Sequence, residues 1–284
     1  MQLRALQLSC DRCSTLGEHD MDWGYKAMLT AITVVLVLLV AQALGRRLAG
    51  LLAGLPIVTA PALLWIASDQ GAAFAARAAV GSIAASGLMA LFAPAYERLS
   101  RHWGPWRTLA ASLTAAAGAA VPMALLAGHP LRTVLVTAAL CAVAVLLLPA
   151  GGPRSGPVSR RRGELLATAL VAGAVSVLAC VVAREIGAFW AGLFAALPII
   201  SGAALLHQHL TASHQDIQRF LRGYVAGLFG KALVALAFAA TAVQLGPTAA
   251  LAGALAFGLA ATVGLVRTLD WKELRPLPAW PSAR

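Results

Sequence analysis

The sequence is poor in charge, and this scarcity sets the first limit on its class. Charged residues make up 12% of the 284 residues and hydrophobic residues 60%, whereas soluble domains average roughly a quarter charged and half apolar. Aromatic residues contribute another small share, 6%. This composition excludes an ordinary soluble domain and indicates a chain embedded in a lipid bilayer.

Motifs for phosphate and nucleic-acid binding are also missing. The sequence contains no Walker-type glycine-rich loop, so ATP-driven transport would require a second chain. The formal net charge is +11, but the basic residues lie in short connections between apolar segments and form no basic domain. We therefore interpret them as signals of membrane topology and predict no nucleic-acid partner.

Cysteine is scarce as well, with four residues in the chain. Cys10 and Cys13 form a C-x-x-C pair in a polar N-terminal tail, 1–26, and one such pair without further ligands is weak evidence for a metal or redox centre. Acidic residues fill this tail where a signal peptide would need an apolar core, so we predict no signal peptide. Three methionines are candidate start positions: Met1, Met21 and Met28.

Apolar runs of membrane-spanning length recur along the chain. A helix needs about 20 apolar residues to cross about 30 Å of hydrocarbon, and the dominance of Ala and Leu favours helices over a barrel. We predict an all-α polytopic membrane protein with nine spans, at about 27–45, 48–67, 73–95, 106–127, 131–149, 164–183, 187–207, 218–243 and 247–267.

Arginine and lysine are unequally divided between the two predicted faces. Fifteen lie on the face reached after the first span, whereas four lie opposite when the tail is left aside. Because cytoplasmic loops accumulate basic residues, we predict an external N-terminus and a cytoplasmic C-terminus in a bacterial-type inner membrane.

One proline-centred apolar segment occurs twice. AGLLAGLPIVTAPALL, at 49–64, returns as AGLFAALPIISGAALL, at 191–206, with ten of sixteen positions identical. The match continues into the following helix at a register of 146, which pairs Gly81 with Gly227. Because the copies fall on the second and seventh spans, they cross the membrane in opposite directions. We predict two inverted repeats, spans 1–4 and 6–9, joined by a linker helix.

This inversion gives the predicted organisation of the chain. Inverted halves occur in many secondary transporters, where rocking of one half against the other exposes a midplane site to each side in turn. Gene duplication also produces such folds without transport. The predicted regions are a polar tail 1–26, a first repeat with linker helix 27–149, a basic cytoplasmic loop 150–163, a second repeat 164–267 and a cytoplasmic tail 268–284.

The repeated prolines predict breaks in two helices. Pro56 and Pro198 each lie eight residues into their copies, and proline removes an amide donor and clashes with the preceding turn. Thr59 and Ser201 follow three residues later with hydroxyl groups. We predict two interrupted helices that meet near the bilayer centre, where freed backbone groups contact protein, water or ligand. The alternative is a pair of ordinary kinks satisfied by Ser and Thr back-bonding.

Lys231 is the one charge predicted near the middle of a span. A buried ammonium costs roughly 2.5–3.5 kcal/mol on insertion scales, and no acidic residue lies near a span centre. We predict that Lys231 faces the substrate, with Tyr224 on the same helical face. Burial also favours release of its proton, so it is a candidate for proton coupling. The alternative is a structural lysine bonded to carbonyls.

A histidine-rich stretch follows the seventh span. His207, His209 and His214 are candidate metal ligands, but their spacing fits no standard structural zinc site. A solvated loop or a pH-sensitive gate fits the pattern better. We predict no metal and no cofactor.

These patterns together predict an inner-membrane secondary transporter for a small, anionic organic solute, rather than an enzyme. The alternatives are an intramembrane enzyme acting on a lipid or polyprenyl substrate, and a non-catalytic subunit of a membrane complex. The expected partners are the bilayer and a small molecule. The predicted substrate-binding residues are Pro56, Thr59, Pro198, Ser201, Tyr224 and Lys231.

Overall fold

The structure is a computed structural model that describes residues 24–36, 46–149, 185–196 and 199–269, with isolated residues at 39 and between 163 and 181. This part of the chain is 88% helical and contains no β-strand. The helices are α1 (Gly24–Leu36), α2 (Arg46–Gly54), α3 (Thr59–Gln70), α4 (Ala72–Leu99), α5 (Pro105–Gly118), α6 (Ala120–Ala124), α7 (Pro130–Leu147), α8 (Ala188–Ala195), α9 (Ile199–Thr211), α10 (His214–Leu245) and α11 (Pro247–Leu269).

Five segments within the described residues are long and apolar enough to cross a bilayer. They correspond to the second, third, fifth, eighth and ninth predicted spans, and are Gly50–Gln70, Ala72–Leu99, Pro130–Leu147, His214–Leu245 and Pro247–Leu265. The predicted class, a helical membrane protein, agrees with these segments. The tail with Cys10 and Cys13, the loop residues 150–162 and Pro198 lie outside the described residues, as does most of 164–183 and of 268–284.

Glycine and proline mark the ends of several helices. Gly71 separates α3 from α4 with φ of 86°, and Gly246 separates α10 from α11 with φ of 80°. This left-handed region is accessible to glycine at little cost, which permits a direct turn between long helices. Proline is the first residue of α5, α7 and α11, where its missing amide costs no hydrogen bond.

Helices α4 and α10 form the centre of the molecule. In α4, 89% of the 18-residue apolar stretch is buried, whereas the corresponding stretches of α7 and α11 are 22% and 28% buried. The largest fully enclosed side chains include Phe92 and Tyr96 of α4 and Phe220, Tyr224 and Phe238 of α10. The outer helices α7 and α11 therefore present apolar side chains to the surroundings, as lipid-facing helices do.

Glycines allow the central backbones to touch. A Cβ atom on Gly54 of α2 would lie 2.8 Å from the Cα of Gly227 in α10, and one on Gly192 of α8 would collide with the Ala78 carbonyl of α4. Gly81 of α4 is equally close to the backbone of α8. Small residues permit such approach between membrane helices. Helix α2 is thus closely packed on α10, and α8 on α4.

Both copies of the repeated segment are interrupted. Helix α2 ends at Gly54 and α3 begins at Thr59, with Pro56 buried in the bend between them. Helix α8 ends at Ala195 and α9 begins at Ile199. The prediction of an interrupted helix, rather than a continuous kinked one, therefore agrees with the first copy. In the second copy α8 ends at Ala195, and residues 197–198 lie outside the described residues.

The predicted span 106–127 differs from the structure, because it consists of α5 and the short α6. Gly118 ends α5, and α6 starts at Ala120. Pro122 cannot donate a hydrogen bond to the Gly118 carbonyl, and glycine lowers helix propensity at the same turn. Neither effect is visible in hydropathy, so this break escaped the sequence prediction.

Candidate functional site

The two interruptions lie against each other. Thr59, the first residue of α3, donates its hydroxyl to the carbonyl of Ala195 at 3.2 Å. One turn further along α3, Ala62 packs on Ala195, and both are buried. The start of α3 therefore contacts the end of α8, although the two segments are 136 residues apart.

Lys231 of α10 reaches the same place. Its Nζ donates to the carbonyl of Ala196 at 3.2 Å, and the residue is 6% exposed. Ala196 directly follows α8, and carbonyls at the C-terminal end of a helix lack intrahelical partners and carry the negative end of its dipole. A lysine is well placed there, and it occupies the carbonyl next to the one that Thr59 contacts.

The ammonium of Lys231 has spare hydrogen-bonding capacity. Within the part of the chain that the structure describes, Ala196 is its one acceptor and no carboxylate forms an ion pair with it. An ammonium carries three N–H donors. The carbonyl bond is what a structural lysine requires, but the charge itself has no counter-charge among these residues.

A third side chain also donates to α8. The Ser82 hydroxyl of α4 contacts the Gly192 carbonyl at 3.0 Å. The last turn of α8 and the residue after it thus accept side-chain hydrogen bonds from α3, α4 and α10. Sequence reasoning missed Ser82, although it follows Gly81, a glycine already singled out by the repeat.

Tyr224 and Ser201 form a second contact. Their side chains share a hydrogen bond that joins α10 to α9, and both are buried. Tyr224 is two helical turns from Lys231, about 10 Å along the axis. The structure therefore brings Thr59 and Lys231 to consecutive carbonyls at the end of α8, and it joins Tyr224 to Ser201.

Pro56 belongs to the bend itself. The Leu55 carbonyl accepts the amide of Ile57, and the Pro56 carbonyl accepts the amide of Ala60. These bonds close the bend locally. Pro198, the matching proline of the second copy, lies outside the described residues.

A polar cluster that sequence reasoning did not assemble joins the end of α4 to the start of α10. We call the residues Glu97, Arg101, His214 and Gln218 the polar cluster. Glu97 is 2% exposed, and its Oε1 accepts hydrogen bonds from Arg101 at 2.6 Å and Gln218 at 2.8 Å. His214 Nε2 lies 3.2 Å from the same oxygen. The sequence signal for this cluster was that Glu97 and His214 both lie on the predicted cytoplasmic face of the membrane.

Lys26 and Asp69 form a second unpredicted pair. Lys26 of α1 and Asp69 of α3 are 2.7 Å apart, and both side chains are largely buried. The two residues are 43 positions apart in sequence, so no helical periodicity relates them. Their shared external face in the predicted topology was the available clue.

Two of the candidate metal ligands, His209 and His214, contact other protein side chains. His209 Nδ1 lies 3.2 Å from the Tyr96 hydroxyl, and His214 belongs to the polar cluster. Burial, together with the nearby His214, lowers the pKa of His209 below its ordinary value. The side chain of His207 lies outside the description, and the described residues include no group of three His, Cys, Asp or Glu that could hold a metal ion.

The candidate site thus consists of two interrupted helices in contact and a buried cation on a carbonyl freed at one of them. The function of this site is inferred from this geometry and from the charge of Lys231. Comparison with known proteins finds no family model, no curated protein and no solved structure that matches the chain.

Proposed function

We propose that this protein is an inner-membrane secondary transporter that carries a small, anionic organic solute by alternating access. The observation that carries the proposal is Lys231, buried beside an interrupted helix without an ion-pair partner among the described residues. A buried charge of this kind costs roughly 2.5–3.5 kcal/mol on insertion scales. A bound anion would offset that cost, and release of the Lys231 proton would couple the step to a proton gradient.

The proposed architecture is nine spans in two inverted repeats. A recurring contact supports it: Gly227 of α10 approaches Leu51 of α2, and Gly81 of α4 approaches Leu193 of α8. Gly81 and Gly227 correspond at the register of 146, and Leu51 and Leu193 correspond at 142. Two-fold related halves would produce this pairing, in which the leading helix of each copy packs on the long helix of the other half.

The proposed topology also agrees with the contacts between polar residues. Lys26 and Asp69 both fall on the predicted external face and lie 2.7 Å apart. Glu97 and His214 both fall on the predicted cytoplasmic face and lie 3.2 Å apart. An error of one span between the members of either pair would put them on opposite sides of the bilayer.

An intramembrane enzyme acting on a lipid or polyprenyl substrate is the alternative, and it would draw on the polar cluster. Glu97 and His214 could act there as an acid and base pair at one face of the membrane. Arg101 and Gln218 donate to the same carboxylate oxygen, which favours a structural role for Glu97. A non-catalytic subunit would have no need for a buried lysine that lacks a counter-charge among the described residues. Transport of an anionic solute accounts for Lys231 most directly.

The proposal is tested by reconstituting the purified full chain into liposomes. A panel of radiolabelled organic acids and amino acids is offered with and without a proton gradient. We expect uptake of at least one acid above that of empty liposomes, and at least about ten-fold lower uptake for Lys231→Met, which keeps the volume of the side chain.

Arg132→Met is the matched control, because Arg132 is an exposed cation on α7 and its loss should leave uptake unchanged. Wild-type-like uptake by Lys231→Met would remove the lysine from the site. No uptake of any solute by the wild-type protein would contradict the transport proposal.

A further inference from the structure

The first turn of α3 leaves backbone donors without acceptors. Val58 precedes α3 with a helical backbone and no side-chain cap. The amide of Ala60 bonds to the Pro56 carbonyl and that of Ala62 to the Val58 carbonyl, whereas the amides of Val58 and Thr59 have no acceptor among the hydrogen bonds of the described residues. Both residues are buried. An unpaired buried amide costs about 1–3 kcal/mol.

The start of α3 and Lys231 meet the same end of α8. Thr59 and Lys231 bond to the consecutive carbonyls of Ala195 and Ala196, each at 3.2 Å. The uncapped start of α3 and the ammonium therefore both face the carbonyls at the end of α8. The helix dipole adds positive potential at this end of α3, and the buried ammonium supplies a full charge whose other two N–H groups have no acceptor in the described part of the chain.

We propose that this place is a subsite for one carboxylate group, held by the ammonium of Lys231 on one oxygen and by the amides of Val58 and Thr59 on the other. The inference rests on the proposed function. It narrows the substrate class to solutes that place a single carboxylate where the two interrupted helices meet. One ammonium balances one negative charge. A dianion would bury a second negative charge that has no partner in this subsite. A neutral solute would bring no negative charge to offset the ammonium of Lys231.

The test measures equilibrium binding of radiolabelled acetate to the purified full chain in detergent. We expect saturable binding to the wild-type protein and to Arg132→Met, with binding at least about ten-fold weaker in Lys231→Met. Unlabelled butyrate should compete. Its neutral isostere butyramide and the dianion malonate should not.

A second variant addresses the amides. Val58→Pro removes one donor, and the φ of −89° at Val58 lies near the range of proline. Loss of one hydrogen bond should weaken acetate binding about five-fold, whereas Val58→Ala should bind as the wild-type protein does. Equal binding in Val58→Pro and Val58→Ala would contradict the role of the amides.

Failure of this inference differs from failure of the proposed function. Acetate binding that survives Lys231→Met, or competition by butyramide as strong as by butyrate, would overturn the subsite even if solute uptake is observed. Acetate binding that depends on Lys231, combined with no uptake of any acid in liposomes, would support the subsite and contradict transport.

Discussion

The two interruptions solve the same backbone problem in different ways. In the first copy, the Leu55 carbonyl accepts the amide of Ile57, and the Pro56 carbonyl accepts the amide of Ala60 in α3. In the second copy, the carbonyls of Ala195 and Ala196 accept side chains from other helices, Thr59 and Lys231. At the register of 142, Ala195 and Ala196 correspond to Ala53 and Gly54, whose carbonyls accept no side-chain hydrogen bond among the described residues. Side-chain donors from other helices therefore reach these carbonyls in the second copy but not in the first.

This difference shows where the molecule departs from its own sequence repeat. At the register of 146, the counterpart of Lys231 is Ala85, which is buried in the apolar core. A lysine at position 85 would place an ammonium among these apolar side chains. The charge is therefore specific to one copy, and there it bonds to the carbonyl of Ala196.

The largest effect is expected from moving the charge to the other copy. Ala85→Lys should lower the free energy of unfolding by about 3 kcal/mol more than Ala85→Met, because an ammonium would be buried in the apolar core. Titration with SDS measures both variants, and the methionine control accounts for the added volume. Equal stability of the two variants would show that the first interruption can also accept a cation.

A smaller effect is expected where the copies are alike, at the glycine contacts. Gly192→Ala should destabilise the protein by about 1–3 kcal/mol, because its methyl group would collide with the Ala78 carbonyl. Gly54→Ala should behave in the same way against α10. Gly253 of α11 has no neighbour within 4 Å, so Gly253→Ala should stabilise by about 0.5–1 kcal/mol. Titration with SDS measures the free energy of unfolding of all three variants.

The smallest effect is expected at the hydroxyl that connects the two interruptions. Thr59→Val removes the bond to the Ala195 carbonyl and should cost about 1 kcal/mol. Thr114→Val is the control, because that hydroxyl is exposed and bonds within its own helix to Ala110. Equal unfolding midpoints for the two variants would show that the interhelical bond adds no stability.

Composition and proline positions were enough to predict the class of the protein and the interrupted helices. The missing amide and steric clash at Pro56 act locally, so they can be read from sequence. For Lys231, the apolar flanks left two kinds of partner, a substrate or a backbone carbonyl. The structure supplies such a carbonyl, at Ala196.

The identity of the partners could not be predicted. Periodicity assigns a residue to a helical face but does not state which helix packs there. Ser82 and Gly192 are 110 residues apart, and Gln218 and Glu97 are 121 apart. Such contacts depend on how the helices cross, which depends in turn on glycine contacts that are recognised only when both backbones are known.

The close approach of Gly54 to Gly227, and of Gly192 to Ala78, restricts how the protein can change shape. Where main chain meets main chain, there are no flexible side chains to absorb sliding, and a shift of even one ångström would open gaps or cause collisions. The interlocked helices α2, α4, α8 and α10 would therefore move as one rigid unit. For the proposed transporter, this favours movement of the outer helices around the unit over separation of the two halves, which would break these backbone contacts.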